Sequence, residues 1–293
     1  MRDGEAVRPT RAERALSFLD RLRGRHGATT TPQPEQAQPA PAAPEHVWEY
    51  LDAPSGSHLY FLNPDHVQKG LVDLLDRPPR TVLDVGCYCG ATGALIRQRW
   101  PQAAVVGIEP LAEAAAIAAT RIDRVVVGKF EDIDHAAEGL TPGSFDVIVL
   151  ADVLEHMYNP WRALTHLRRL LADGGVVLAS IPNVRNLGLI LSLVGGHWTY
   201  AGGGLLDVTH IRFFTLAEIR KLFAETGFEI EHVEHNVDPS LSQLWDAARQ
   251  GGQPTIRAGQ LAIDALTTAD MQELATVQFY VRASVAPTTR DPR

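Results

Sequence analysis

From residue 80 to residue 183 the chain alternates short, uniformly apolar segments with amphipathic ones. TVLDV, AAVVGI, RVVVG, FDVIVLA and GVVLASIP have the length and β-branched content of strands. ATGALIRQRW, LAEAAAIAAT and the stretch over 160–171 have helical spacing, the last with Trp161, Leu164, Leu167 and Leu171 on one face. Strands apolar on both faces are buried on both sides, as in a parallel sheet. Joining parallel neighbours through helices requires right-handed crossovers, and the expected product is a doubly wound α/β sheet. A helix over 216–226, a sixth strand GFEIEHVEH and a seventh, TVQFYVRASV, complete the pattern. Between the last two strands lies an insertion over 236–274, with helical pieces expected at 241–249 and 258–266.

The first 45 residues obey different rules. Residues 1–26 hold seven arginines against four acids, and Ala15, Phe18, Leu19 and Leu22 mark a short amphipathic turn. This basic stretch, chiefly 11–26, is either a frayed tail or a weak membrane-surface contact. Residues 27–45 contain five prolines in nineteen positions and no large apolar side chain, so they read as a linker. The expected organisation is a disordered 1–45 followed by one folded domain over 46–293. Net charge is −8, which argues against a nucleic-acid partner. No apolar run approaches the ~18 residues of a spanning helix. Cys87 and Cys89 stand two apart, so no disulfide framework is expected; with no secretory signal visible, the cytoplasm is the expected compartment.

The loop after the first strand carries the chemistry. It reads VLDVGCYCGATG, with Asp84, Gly86, Gly90 and Gly93. A dinucleotide fingerprint would need glycines at positions occupied by Tyr88 and Ala91, so an NAD site is excluded. No GK[ST] follows, so the loop is not a P-loop either. An acid just before the first glycine is a poor neighbour for pyrophosphate and a good one for a cationic ligand. The segment resembles the first motif of class I S-adenosylmethionine (SAM)-dependent methyltransferases. VVGIEP, KFEDI, FDVIVLADVLEH and LLADGGVVLASIPN continue that resemblance in order, over about residues 58–235 and the last strand.

The resemblance implies a Rossmann-like, mostly parallel seven-stranded sheet with an antiparallel last strand, and SAM as cofactor. Gly86 and Gly90 would let the backbone pass close to the ligand, with Cys87 in the same loop. Asp84 would face the SAM ammonium and Glu109 would accept both ribose hydroxyls. Glu131 and Asp132 would lie near the adenine, and Asp152 near the methionine moiety. Tyr88 stands where the family commonly has glycine.

On the acceptor side, LEHM places Glu155 and His156 after the fourth strand. The stretch GHWTYAGGGLLDVTHIRFFT ends a lid expected over about 184–215. His210 and His156 are the candidate bases, with Asp207 three residues before His210 as its orienting carboxylate. Each histidine is equally readable as a brace for its loop. Trp198 and Tyr200 could stack on an acceptor ring, and Arg212 could bind an anionic group. D-x-x-H-x-R-x-F-T resembles a branch associated with polysaccharide biosynthesis, which implies a hydroxyl of a sugar or glycoconjugate. A quinone precursor, a polyketide or an amine is the alternative acceptor, and a non-catalytic SAM-fold partner is the reading from another class. No His/Cys/Asp/Glu group has metal-ligand spacing along the chain, so no metal is expected. The nucleic-acid methyltransferase motif is approached only by Tyr158-Asn159-Pro160-Trp161, which lacks the second proline.

Overall fold

The computed structural model describes residues 46–47, 51, 63–243, 246, 255–258, 261–264 and 266–287. The expected tail helix and linker, and most of the helical piece over 241–249, lie outside these residues. In chain order the helices are α1 (Lys69–Val72), α2 (Ala91–Arg99), α3 (Ala112–Ala118), α4 (Pro160–Leu170), α5 (Leu187–Val194), α6 (Leu216–Glu225) and α7 (Thr268–Ala275). The strands are β1 (Thr81–Val85), β2 (Ala104–Glu109), β3 (Arg124–Val127), β4 (Phe145–Ala151), β5 (Leu171–Pro182), β6 (Phe228–Val237), β7 (Ile256–Ala258), β8 (Leu261–Ile263) and β9 (Thr276–Val285).

Seven strands form one sheet in the order β3-β2-β1-β4-β5-β9-β6. β1 pairs in parallel with both β2 and β4, and β9 runs antiparallel between β5 and β6. Alternate residues face opposite apolar layers. Leu83, Ile148, Leu150, Val177 and Ala179 pack with Leu164, Leu167, Ile219 and Phe223. Val82, Val147, Val149, Val176 and Leu178 pack with Leu71, Ile96 and Ile122 on the other side. This double burial is what the uniformly apolar strands require. The strand order reverses between β1 and β4, and ligands of such sheets bind outside the carboxyl ends there.

Two local expectations are corrected. The inner face of α4 is Leu164, Leu167 and Leu170, and Leu171 already pairs with Phe145 as the first residue of β5. Trp161 is 40% exposed, its indole N–H donating to Glu225 Oε2 at 3.0 Å. The second correction is in the insertion, where the segment read as helical over 258–266 contributes to an antiparallel pair, β7 with β8. Ile256 faces Ile263 across that pair, a cross-strand contact that suits β-branched side chains. After this pair α7 begins, where Thr267 and Asp270 form a capping box. Asn159 caps α4 by accepting from the Arg162 N–H at 2.9 Å, so the Asn-Pro pair is a helix start. No helix among the described residues is long and apolar enough to cross a membrane.

Candidate active site

The loop from β1 into α2 folds tightly over the end of β2. Gly86 has φ +68 and Gly90 φ +75, both left-handed. The Gly86 N–H donates to Ile108 O at 2.8 Å, and Gly90 begins α2. Tyr88, with φ +49, takes a conformation that glycine adopts without cost. Its N–H donates to Glu109 Oε2 at 2.8 Å, while the Leu111 N–H donates to Oε1 at 2.8 Å. The Glu109 carboxylate is therefore fixed between two backbone amides, 4% exposed, with a lone pair left on each oxygen. Burial raises its pKa, against the pull of the two amides.

Asp84 lies one strand away, at the end of β1. It is 1% exposed and neither carboxylate oxygen has a hydrogen-bond partner. Burial, followed by the charge of Glu109, pushes its carboxyl up to about 7. A buried acid without donors is a site that favours an approaching cation.

A β-carbon on Gly86 would meet Val153 Cγ2 at 2.7 Å. Gly86→Ala is therefore expected to destabilise the fold by about 1–2 kcal/mol from backbone strain alone. Thermal unfolding should register that as a drop of about 2–4 °C per kcal/mol. An unchanged melting temperature would mean the loop relaxes without cost.

Other residues expected at the cofactor are less directly placed. The Cys87 side chain packs toward β2, where its Sγ would lie 2.5 Å from a β-carbon on Gly107. Burial pushes the Cys87 and Cys89 thiols up, so both are inert packing residues and Cys87 offers the site only backbone. Glu131 and Asp132 are exposed in the turn after β3. Asp152 has φ +56, and with Tyr88 it is one of two non-glycine residues with positive φ among those described. Its Oδ2 accepts from Gln68 Nε2 at 2.5 Å. Its Oδ1 accepts from Ser180 Oγ at 2.9 Å and from Gln278 Nε2. Asp152 thus ties the segment before α1, β5 and β9 to the end of β4. Gln68, Ser180 and Gln278 carried no sequence signal, because each comes from a distant segment.

On the acceptor side, a single turn over Leu154–His156 follows β4. Glu155 is 1% exposed and neither of its carboxylate oxygens has a hydrogen-bond partner. Burial, then the charge of Asp152, pushes its carboxyl well above the usual range. The Glu155 backbone carbonyl accepts the N–H groups of Ile211 and Arg212 at 2.9 and 3.0 Å, which hangs the lid on this turn. That connection brings His210 against the acid, with Nε2 at 4.0 Å from Glu155 Oε1. The rings of His156 and His210 meet edge to face, with centroids 4.7 Å apart.

Asp207 does not orient His210. Residues 207–209 turn without forming a helix, so the three-residue spacing loses its helical meaning. Asp207 Oδ1 accepts from the Thr209 N–H at 2.8 Å and from Thr209 Oγ1 at 2.6 Å. The carboxylate facing His210 is Glu155. Arg212 is also committed elsewhere: it donates to the carbonyls of Ile211 and Tyr158 and lies over the Tyr158 ring at 5.2 Å. Trp198 and Tyr200 are exposed, and Trp198 stands 5.5 Å from Phe213 in a T-shaped contact.

A model of the methyltransferase domain family matches residues 57–233. A ubiquinone biosynthesis O-methyltransferase of Psychrobacter arcticus is 30% identical over 193 residues, covering 63% of this chain and 72% of that protein. A malonyl-[acyl-carrier protein] O-methyltransferase of Geobacter sulfurreducens is 27% identical over 150 residues, covering 51% of this chain and 56% of that protein. Among solved structures, the methyltransferase in complex with the Trm112 activator of Haloferax volcanii superposes with a TM-score of 0.50 at 16% identity, over 74% of this chain and 87% of that one. The fold and the cleft define a class I α/β methyltransferase, and the chain belongs to the methyltransferase domain family. It is an enzyme of the SAM-dependent kind, with SAM as its cofactor.

Proposed function

We propose that this enzyme transfers the SAM methyl group to a hydroxyl of a small acceptor. The observation that carries this reading is the cluster of Glu155, His156 and His210 at the end of β4, two strands from the end of β2, where Glu109 lies. Asp84 receives the SAM ammonium, Gly86 and Gly90 admit the ligand close to backbone, and Glu109 accepts the ribose hydroxyls. Asp132, with Glu131 beside it, serves the adenine edge. Asp152 holds the wall beside the methionine moiety through its three side-chain donors. The acceptor oxygen attacks the methyl carbon, the carbon–sulfur bond breaks, and the hydroxyl proton leaves at the Glu155–His156–His210 cluster. Alignment of oxygen, carbon and sulfur can contribute roughly 7–11 kcal/mol.

Relatives named as O-methyltransferases of ubiquinone biosynthesis support a phenolic, quinone-precursor acceptor over the sugar hydroxyl suggested by the lid motif. The exposed Trp198 and Tyr200 keep a saccharide as the second reading, since aromatic faces stack on either ring type. A screen with labelled SAM against phenols, sugars, carboxylates and amines tests this. Label on a phenolic oxygen is expected; label confined to sugars would move the assignment to the polysaccharide branch, and label only on nitrogen would overturn O-methylation. We assign catalysis to residues 46–293, with a lid over about 184–215 and the basic 1–45 as an appendage. Two buried, unbridged cysteines support a cytoplasmic location.

Glu109→Ala should weaken SAM binding by about 2–4 kcal/mol, because the ribose and two backbone amides lose a charged acceptor. Calorimetry reads this directly. A change below about 0.5 kcal/mol, the scale of an ordinary surface substitution, would put the ribose elsewhere.

A further inference from the structure

We propose that His135 and His166 form an acid-sensitive latch: neutral, their packed rings close the segment after β3 onto α4, and protonated they release it. Neither histidine belongs to the cluster assigned to the acceptor. The consequence for SAM rests on the reading that Glu131 and Asp132 serve the adenine edge.

The latch stands first on a ring contact. The two imidazoles lie with centroids 4.0 Å apart and planes tilted by 42°. Phe130 is 4% exposed and meets His135 edge to face at 4.6 Å and His166 at 5.6 Å. His166 belongs to α4 and His135 to the segment after β3, so the three rings join two elements. A charge on one imidazole has to be taken out of water. A charge on both would set like charges about 4 Å apart.

The second observation is an unmet nitrogen. His135 Nε2 is buried and has no hydrogen-bond partner. The other nitrogen is the one that bonds the Phe130 backbone. An imidazolium carries a donor at both nitrogens, so protonation would place a buried N–H at Nε2 with nothing to accept it. Opening satisfies that donor. A cavity of about 380 Å3 beside the rings, lined also by Asp134, Ala136, Pro142 and Arg169, gives a charged imidazole water to turn toward. Gly128 (φ +149) and Gly143 (φ +71) bound the segment, and a hinge there meets no side-chain penalty.

The charged groups acting on the pair are Asp134 from the segment itself and Arg162 and Arg169 from α4. Burial lowers the His135 pKa, against the Phe130 backbone bond and the charge of Asp134. Asp134 is partly committed, since its Oδ1 accepts the N–H groups of Ala136 and Ala137, each at 3.1 Å. Burial lowers the His166 pKa too, followed by His135, Arg169 and Arg162. With the segment open, each ring returns toward the ordinary value of about 6.5. The open form then binds protons more tightly than the closed form. Closure is therefore complete above about 6.5 and weakens as pH falls through the depressed values. Glu131 and Asp132 lie between Phe130 and His135, so release of the segment carries them with it.

The test combines an NMR titration of the histidine rings, amide hydrogen exchange and SAM calorimetry on the full chain. Both rings are expected to titrate below about 6.5. Exchange protection over 129–143, corrected for the intrinsic rate, should fall at least about 10-fold from about pH 7.5 to about pH 5.5, as expected for a depression of one pKa unit or more. The His135→Phe/His166→Phe double variant keeps the aromatic contact and takes up no proton, so its protection should hold. SAM affinity should fall more in the wild type than in this variant, and contributions common to both chains cancel in that comparison. Rings titrating at or above about 6.5 would overturn the latch, a result that needs no variant to fold. Equal protection at the two pH values, or the same loss in the double variant, would overturn it as well. If the segment loosens while the two chains keep the same SAM affinity, the latch stands and the adenine reading of Glu131 and Asp132 falls.

Discussion

His210→Ala is expected to lower turnover by about 10²–10⁴-fold, the range for loss of a group that manages a reacting proton. SAM affinity should stay unchanged, because Asp84 and Glu109, the acids proposed to hold SAM, sit at the ends of β1 and β2 while His210 belongs to the segment after α5. The size of the effect follows from how His210 is held. Its Nδ1 meets Leu205 O, its Nε2 faces Glu155, and the next two backbone amides hang on the Glu155 carbonyl. Removing the ring leaves the buried Glu155 carboxylate without the imidazole that faces it. His156→Ala should cost less, since that ring is exposed and is carried by Thr209. Steady-state kcat, SAM affinity and melting temperature measured together separate the possibilities. Turnover within about tenfold of the wild type would remove the cluster from the acceptor chemistry, because even modest proton management exceeds that. A collapse of SAM affinity would instead move His210 to the cofactor side.

The parallel half of the sheet was legible because its strands are buried twice. In FDVIVLA, Val147 and Val149 face one helical layer while Ile148 and Leu150 face the other, so apolar residues fill every position between Asp146 and Ala151. Asp84 and Glu109 stood out for the related reason that charge at the end of such a strand needs an explanation, and both are buried there. What failed were inferences that borrow helical spacing where no helix forms. Asp207 and His210 stand three apart, but Asp207 caps its own turn at Thr209 and the acid facing the imidazole comes from the β4 turn. In α4, Trp161 shares the helical spacing of Leu164 yet faces Glu225 and solvent, because the indole N–H finds an acceptor there. The donors around Asp152 were invisible for another reason. Gln68, Ser180 and Gln278 meet only once β4, β5 and β9 are side by side, and a glutamine is ordinary in any sequence. The same holds for Glu155 with His210, whose approach depends on two lid amides finding one carbonyl.

Asp84→Asn should remove a pH-dependent loss of stability. In the folded chain the Asp84 carboxyl titrates near about 7. Unfolded, it returns to the ordinary value of about 3.9. The folded state therefore holds the proton more tightly, and the unfolded state binds fewer protons in between. By linkage, stability falls as pH rises from about 4 to about 7 and levels above that. Three pKa units correspond to about 4 kcal/mol. Other groups titrate over the same range with either sign. Asp270, lowered to about 2 by Thr267 and Arg185, contributes stability that is lost only as pH falls through and below the ordinary carboxylate range. Such contributions are common to both chains and cancel in the difference between wild type and Asp84→Asn. That difference in unfolding free energy, from denaturant melts at several pH values, should shift by about 4 kcal/mol in favour of the variant between pH 4 and pH 8. With the ammonium placed as proposed, saturating SAM should flatten the wild-type curve by giving the two Asp84 oxygens the partner they lack. A difference that stays flat with pH would mean that Asp84 is ionised at little cost in the folded chain. A pH dependence that SAM leaves unchanged would place the ammonium away from Asp84.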